Sequence, residues 1–210
     1  LAGAATQAAL GYVPLVGEVC AVRDGIADWR QRDRLGVALN VLANARILRE
    51  SGFKRVWIQP AAGDAGGCLG AATYLQHTVL RQPRRYRMET AYLGPGYSNA
   101  EIHAFLEREG VEFRVLDDEQ IAPTVARLLA DNNVVGWFQG RMEFGPRALG
   151  ARSILASPID PAMQAHLNLI KDREDFRPVA PVVLEEDVAE WFVNGSIAPF
   201  MLFIFDVRPD

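Results

Sequence analysis

Two cysteines, Cys20 and Cys68, and three histidines, His77, His103 and His166, are all this 210-residue chain offers of the side chains that bridge, ligate soft metals or attack as thiolates. Cysteine this sparse excludes a disulfide scaffold and fits a reducing compartment, so the cytoplasm is the expected location. The histidines form no HxxxH or HxxH pair, and no recognisable transition-metal cage follows from them. No GxSxG occurs and neither cysteine has a histidine close in sequence, which leaves covalent nucleophilic catalysis without a candidate. No apolar run approaches the roughly 20 residues of a membrane span, so no membrane partner is expected. Excess positive charge is missing too. With 22 Lys+Arg against 26 Asp+Glu the net charge is −4, which argues against nucleic acid as a partner and requires any basic site to be local. The chain starts without Met, has no basic leader and stops just after the strand-like MLFIFDVRPD; a piece of a longer chain is expected.

What is present is ordinary globular composition, 50% hydrophobic and 23% charged, enough for one large or two small domains. Apolar residues Val37, Val41, Leu42, Ala45 and Leu48 recur at helical spacing over 36–50, and Gly52 stands where a helix would stop. KRVWIQP at 54–60 puts Val56 and Ile58 on one face of a short strand. Beyond it AGGCLGAATYLQHTVL predicts a helix whose glycines at 66, 67 and 70 permit close packing. Residues 81–97 lose periodicity, hold four arginines in seven positions and read as a domain junction. Ser98 and Glu101 then form a capping-box pattern opening a helix to about Gly110. VEFRVL predicts a strand, 119–131 a helix, VVGWF and SILAS strands, 161–170 a helix, and PVAPVVL and FMLFIFDV two further strands. Alternation of this kind predicts an α/β architecture in both halves.

The strongest functional signal is GRMEFGPRALGARSILASP at 140–158, which sets Arg141, Arg147 and Arg152 among glycines. Planar, permanently charged guanidiniums converging from a glycine-rich turn suit a phosphate or carboxylate, with backbone N–H groups approaching the same anion. The plainer alternative is a solvated loop whose arginines pair with Glu143 and other carboxylates. KDREDFRP at 171–178 adds Lys171, Arg173 and Arg177; alone it reads as a salt-bridged surface, and beside the arginine loop it can share one polyanion. Asp64, in GDAGG, is read either as a helix N-cap or as a metal or ribose ligand.

These segments, in this order, resemble the O-carbamoyltransferases of the nodulation-protein and antibiotic-tailoring type. GRMEFGPRALGARSILASP followed by LNLIKDREDFRPVAPVV is similar to the hallmark of their C-terminal YrdC-like domain, and GVALNVLANARIL with WIQPAAGDAGGCLGAA to the end of their actin-like (Kae1-like) domain. The resemblance covers 36 to about 207. It implies the C-terminal part of a Kae1-like domain over 1–88 and a YrdC-like α/β domain with a mixed twisted sheet, truncated, over 89–210. It further implies a two-step reaction. Carbamoyl phosphate and ATP give carbamoyladenylate, and the carbamoyl group then passes to a hydroxyl of a sugar or natural product, with a divalent metal, iron or magnesium, in the complete protein. Arg141, Arg147, Arg152 and Lys171 match the catalytic anion-binding segments. Ser153, Arg173 and Arg177 match neighbouring substrate contacts, Gly36 and Asn40 the nucleotide-contacting GGVALN motif, and Asp64 the metal-ligand aspartate. Two departures stand out: Leu35 replaces the first glycine of that motif, and the histidine metal ligands and the closing HVDGTAR-like and LNTSFN-like motifs lie outside this sequence. Residues 1–34 fit the pattern poorly. Related machineries share both folds, but the hydrogenase-maturation type brings zinc-finger cysteines and the tRNA threonylcarbamoyladenosine type a larger basic surface. A non-catalytic nucleotide- or anion-binding module is the alternative from another class. The sequence specifies neither the acceptor nor the oligomeric state.

Overall fold

A short strand, β3 (Arg55–Ile58), anchors the first of three small sheets, and its burial alternates as the sequence predicts, with Val56 half-buried and Ile58 buried while Arg55 and Trp57 are exposed. The computed structural model describes residues 18–23, 26–32 and 37–209. In the first sheet β1 (Glu18–Arg23) lies between β2 (Ile26–Arg32) and β3, antiparallel to both, with Val19 opposite Ile58 and a register irregularity between Val19 and Ala21. Strands β4 (Val135–Phe138) and β5 (Arg152–Leu155) form a second antiparallel pair, and β6 (Phe192–Val193) and β7 (Asp206–Val207) a third. The result is a mixed α/β chain with small sheets. Every pairing among the described residues is antiparallel, where a mixed sheet was expected.

The described residues group into two compact units. One holds those up to Ala91 together with Phe144–Arg147 and the stretch from Val183 onward; the other holds Tyr92–Glu143 and Ala148–Val182. In the first unit a 3₁₀ turn (Val37–Leu39) leads into helix α1 (Val41–Glu50), whose N-cap Asn40 accepts a hydrogen bond from the Ala43 N–H at 3.1 Å. This is ordinary Asn capping of an otherwise unsatisfied helix donor. Ala38, Ile58, Ala62 and Leu202 form the buried cluster, with Leu39, Val56, Phe200 and Phe203 packed against it. Asn44, 1% exposed, stitches it: its Nδ2 donates to the carbonyls of Ala38 at 2.8 Å and Leu202 at 3.0 Å. Helix α2 (Asp64–Tyr74) continues into a π-helical turn (Leu75–Val79). A Cβ at Gly66 would come within 2.5 Å of the Ala61 carbonyl oxygen, so the tight approach inferred from its glycines is real at that position.

In the second unit α3 (Asn99–Arg108) opens on the expected capping box: the Ser98 N–H donates to Glu101 Oε2 at 2.7 Å and the Glu101 N–H to Ser98 Oγ at 3.3 Å. Those bonds hold the Glu101 carboxyl below the usual carboxylate range, the Ser98 backbone N–H contributing most. Helices α4 (Asp118–Ala130) and α5 (Met163–Ile170) fall where periodicity put them. Residues 81–97 contain neither helix nor strand.

Three strand expectations are corrected. VEFRVL at 111–116 and PVAPVVL at 178–184 belong to no ladder, and of FMLFIFDV only Asp206–Val207 pairs. Their residues include exposed apolar side chains such as Val115 and Val182. Apolar β-branched runs signal a half-buried pleated surface, but a strand exists only where a neighbour accepts its hydrogen bonds. The hairpin β6–β7 and the single-turn helix α6 (Val188–Trp191) were not foreseen.

Candidate anion site at the β4–β5 hairpin

The β4–β5 ladder sets Phe138 opposite Arg152, Trp137 opposite Ser153 and Gly136 opposite Ile154. These residues with Ala148 and Lys171 line an open, shallow cavity of about 480 Å³. A Cβ at Gly136 would meet no atom within 4 Å, so the missing side chain leaves part of this space clear. Arg152 lies over the Phe138 ring, with Cζ 3.4 Å from the ring centroid, a contact that favours a guanidinium over an ammonium. Its Nη1 donates to the carbonyls of Gln139 at 3.0 Å and Ala151 at 2.9 Å, and Nη2 to that of Gly140 at 3.2 Å. A guanidinium carries five N–H donors. The Arg152 Nε–H and one Nη2 hydrogen therefore have no partner among the described residues. Ser153 Oγ accepts from the Gly150 N–H at 3.0 Å and keeps its own proton to donate. Lys171 is the C-cap of α5 and exposed. Two cationic groups and a hydroxyl thus share one cavity.

The fold of the arginine loop comes from a residue that the sequence suggested only as an arginine partner. Glu143, 7% exposed, pairs with no guanidinium among the described residues. Its Oε1 accepts from the backbone N–H groups of Leu149 at 2.7 Å, Ala151 at 2.8 Å and Arg152 at 3.2 Å. Burial works against ionisation of this carboxyl, yet the converging N–H groups, its own included, outweigh burial and hold it below the usual glutamate range. Gly150, at φ 105°, supplies the backbone turn that only glycine adopts without strain.

Asn168, fully buried, has the equivalent place beside Lys171. Its Nδ2 donates to the carbonyls of Asp175 at 2.9 Å and Arg177 at 3.1 Å, and its Oδ1 accepts from Arg173 Nε at 2.6 Å. Nothing in the periodicity singled out Asn168 or Glu143. The available signal was a polar residue on the apolar face of a helix and an acidic one inside a basic motif.

The other sequence-predicted residues are placed as follows. Arg141 donates from Nε to the Gly94 carbonyl and from Nη2 to that of Leu93, both at 2.9 Å. Arg173 adds a bond to the Pro178 carbonyl at 3.3 Å, while Arg177 pairs with Glu174 at 2.8 Å, both partners exposed. Arg147 belongs to the first unit, where its Nη2 donates to the Leu39 carbonyl at 3.0 Å; its buried Nε has no partner among the described residues. Asn40 is the α1 N-cap, and Gly36, with Leu35, lies outside the described residues. Asp64 is the exposed first residue of α2. The N-cap position itself falls to Gly63, at φ 147°, so the capping role considered for Asp64 does not hold. Among the described residues no group of three His, Cys, Asp or Glu could hold a metal ion. One exposed carboxylate does not fit a metal by itself.

One carbonyl-held arginine, a lysine at a helix end and a serine thus line one cavity of this α/β chain. Residues 34–73 match the family profile described as Carbamoyltransferase N-terminus and residues 126–210 the one described as Carbamoyltransferase C-terminus. The chain belongs to the carbamoyltransferase family. It is 51% identical over 182 residues to an uncharacterized protein of Synechocystis, covering 83% of this chain and 30% of that one. It is 40% identical over 178 residues to the nodulation protein NolNO of Sinorhizobium fredii (82% and 26%). With nodulation protein U of Bradyrhizobium diazoefficiens it shares 37% over 174 residues (82% and 28%). The aligned part of this chain thus spans under a third of the length of each of these relatives. No helix among the described residues is long and apolar enough to cross a membrane.

Proposed function

We propose that this chain is the donor-activating part of a cytoplasmic, ATP-dependent O-carbamoyltransferase, and that the hairpin cavity holds carbamoyl phosphate. The observation that carries this is the meeting of Arg152, Ser153 and Lys171 around one open space, in a chain of this family. Carbamoyl phosphate is a doubly charged acyl phosphate. The free Arg152 Nε–H and the Lys171 ammonium offset that charge, and the Ser153 hydroxyl supplies a neutral donor. Formation of carbamoyladenylate breaks the bond between the carbamate oxygen and the donor phosphate. It joins that oxygen to the α-phosphorus of ATP and expels pyrophosphate, with water taking the donor phosphoryl group as inorganic phosphate. Bringing two polyanions together costs electrostatic repulsion that fixed cations remove before the reaction begins. The carbamoyl group then passes to a hydroxyl of a sugar or natural product.

On this proposal 1–88 corresponds to the end of an actin-like, Kae1-like domain and 89–210 to a YrdC-like one. The nucleotide-contacting role falls to the motif of Gly36 and Asn40, and Arg141, Arg173 and Arg177 shape or extend the anion site. No step is assigned to a metal, because Asp64 alone does not make a site. The test is carbamoyl-phosphate-dependent ATP–pyrophosphate exchange by a protein of the relatives' full length containing this chain. Exchange that disappears in folded Lys171→Ala supports the proposal; no exchange by the folded wild type overturns it. A non-catalytic anion module is the second reading, favoured by the number of guanidiniums already spent on backbone carbonyls. Phosphate binding without exchange would select it.

A further inference from the structure

We propose that Glu143 is a positioning residue of this pocket, a built-in anion that fills the loop's N–H cradle and so fixes where Arg152 and Ser153 stand. The inference rests on the donor-site proposal for the cavity and adds to it the device that shapes one wall. Four consecutive N–H groups, of residues 149 to 152, turn inward, and all are consumed internally: those of Leu149, Ala151 and Arg152 by Glu143 Oε1, that of Gly150 by Ser153 Oγ. A cradle of successive amides around a positive-φ glycine is the geometry that binds phosphate in other proteins. Here it is closed to ligand, so substrate meets side chains and not the backbone.

The oxygen must be anionic for this to work. Three donors converge on Oε1 within 3.2 Å, and a carboxylate oxygen satisfies them more strongly than a neutral amide oxygen with two lone pairs. The Arg152 amide is one of the three, and the same residue's guanidinium lies on Phe138. Ser153 follows directly and is tied back to Gly150. Loss of the carboxylate frees the backbone from which both cavity groups project.

The experiment uses the isotope-labelled chain, with hydrogen exchange of the 149, 151 and 152 amides and titration with inorganic phosphate as paired readouts. In Glu143→Ala protection of the three amides should fall and phosphate should bind about tenfold to a hundredfold more weakly, the usual consequence of losing charge-assisted bonds. Acetate matches the deleted atoms and should restore both readouts, whereas chloride should not. Glu143→Gln keeps shape without charge and should be intermediate. Lys171→Ala should weaken phosphate with all three amides still protected and with no rescue by acetate. If Glu143→Ala does not fold, Glu143→Gln and acidification of the wild type carry the test. Unchanged protection in the glutamate variants, or lost protection at unchanged phosphate affinity, overturns the proposal. Protected wild-type amides without any phosphate binding would reject the donor site itself and leave Glu143 a brace for the loop, with no positioning role.

Discussion

The loop at 143–153 and the segment at 168–178 solve opposite problems with one buried polar residue each. In the first, backbone N–H groups point inward and an anion collects them: Glu143 takes three on one oxygen. In the second, the chain beyond the C-terminus of α5 turns the carbonyls of Asp175 and Arg177 inward, and Asn168 donates to both. Each hub is near-completely buried; Glu143 binds the backbone of the cavity residue Arg152, and Asn168 ties together the turn that follows Lys171. The hub's chemistry is set by which end of the peptide dipole the backbone presents. A basic motif therefore needs an acid inside it for reasons unrelated to neutralising its arginines.

That contrast breaks most decisively at Asn168. Replacement by Leu removes the donor to two carbonyls and the acceptor of the Arg173 Nε at part-buried bonds, and should destabilise the chain by about 3 kcal/mol. Thermal unfolding of Asn168→Leu measures it, and a loss below about 1 kcal/mol would deny the hub role. Next in size, Lys171→Ala should weaken phosphate by about tenfold to a hundredfold while leaving Tm in place, since the ammonium is exposed. Calorimetry gives both numbers. Arg152→Lys should follow with about a tenfold loss, because an ammonium keeps the charge but neither the guanidinium's contact over Phe138 nor the fork to Gln139 and Gly140. Equal affinity for the two residues would mean that only charge matters there. Gly136→Leu, directed at the clear space of the cavity, should reduce phosphate binding with a smaller change in stability. A crystal structure with phosphate elsewhere would remove the cavity from consideration.

The two hubs also differ in response to acid. The Glu143 carboxyl is held below its ordinary value of 4.5 in the folded chain, so the stability it contributes is full above that value. It is lost as pH falls through the lower folded value. Relative to free-peptide rates, amide exchange at 149, 151 and 152 should stay slow from neutrality down into the ordinary carboxylate range and accelerate only below it. Acceleration already at pH 6 would contradict the assigned direction.

Short-range features were legible in the sequence. The capping box of Ser98 and Glu101, the α1 stripe, the Val56/Ile58 alternation and the close approach at Gly66 each depend on residues a few positions apart, where spacing alone carries the physics. Strands at 111–116 and 178–184 were misjudged because their apolar pattern says what a strand would bury and not whether a neighbour is there. At the site, the basic segments were found but their use was not. Guanidiniums expected to face a ligand are largely bonded to carbonyls up to 108 residues away, as between Arg147 and Leu39. Glu143 was visible only as a counter-charge, since an acceptor for distant N–H groups leaves no periodic trace.

Asn44 has a consequence for how the chain comes off the ribosome. Its second carbonyl partner, Leu202, is synthesised 158 residues later, and Phe200 and Phe203 of the same buried cluster arrive with it. The stretch from Tyr92 to Val182 is complete before any of them exists, so the unit that begins second can close first. The earlier one waits with an unsatisfied amide and an open apolar cluster, and non-local closure of this kind is slow. Nascent-chain lengths ending short of residue 200 should be protease-sensitive before Ala91 and resistant after Tyr92.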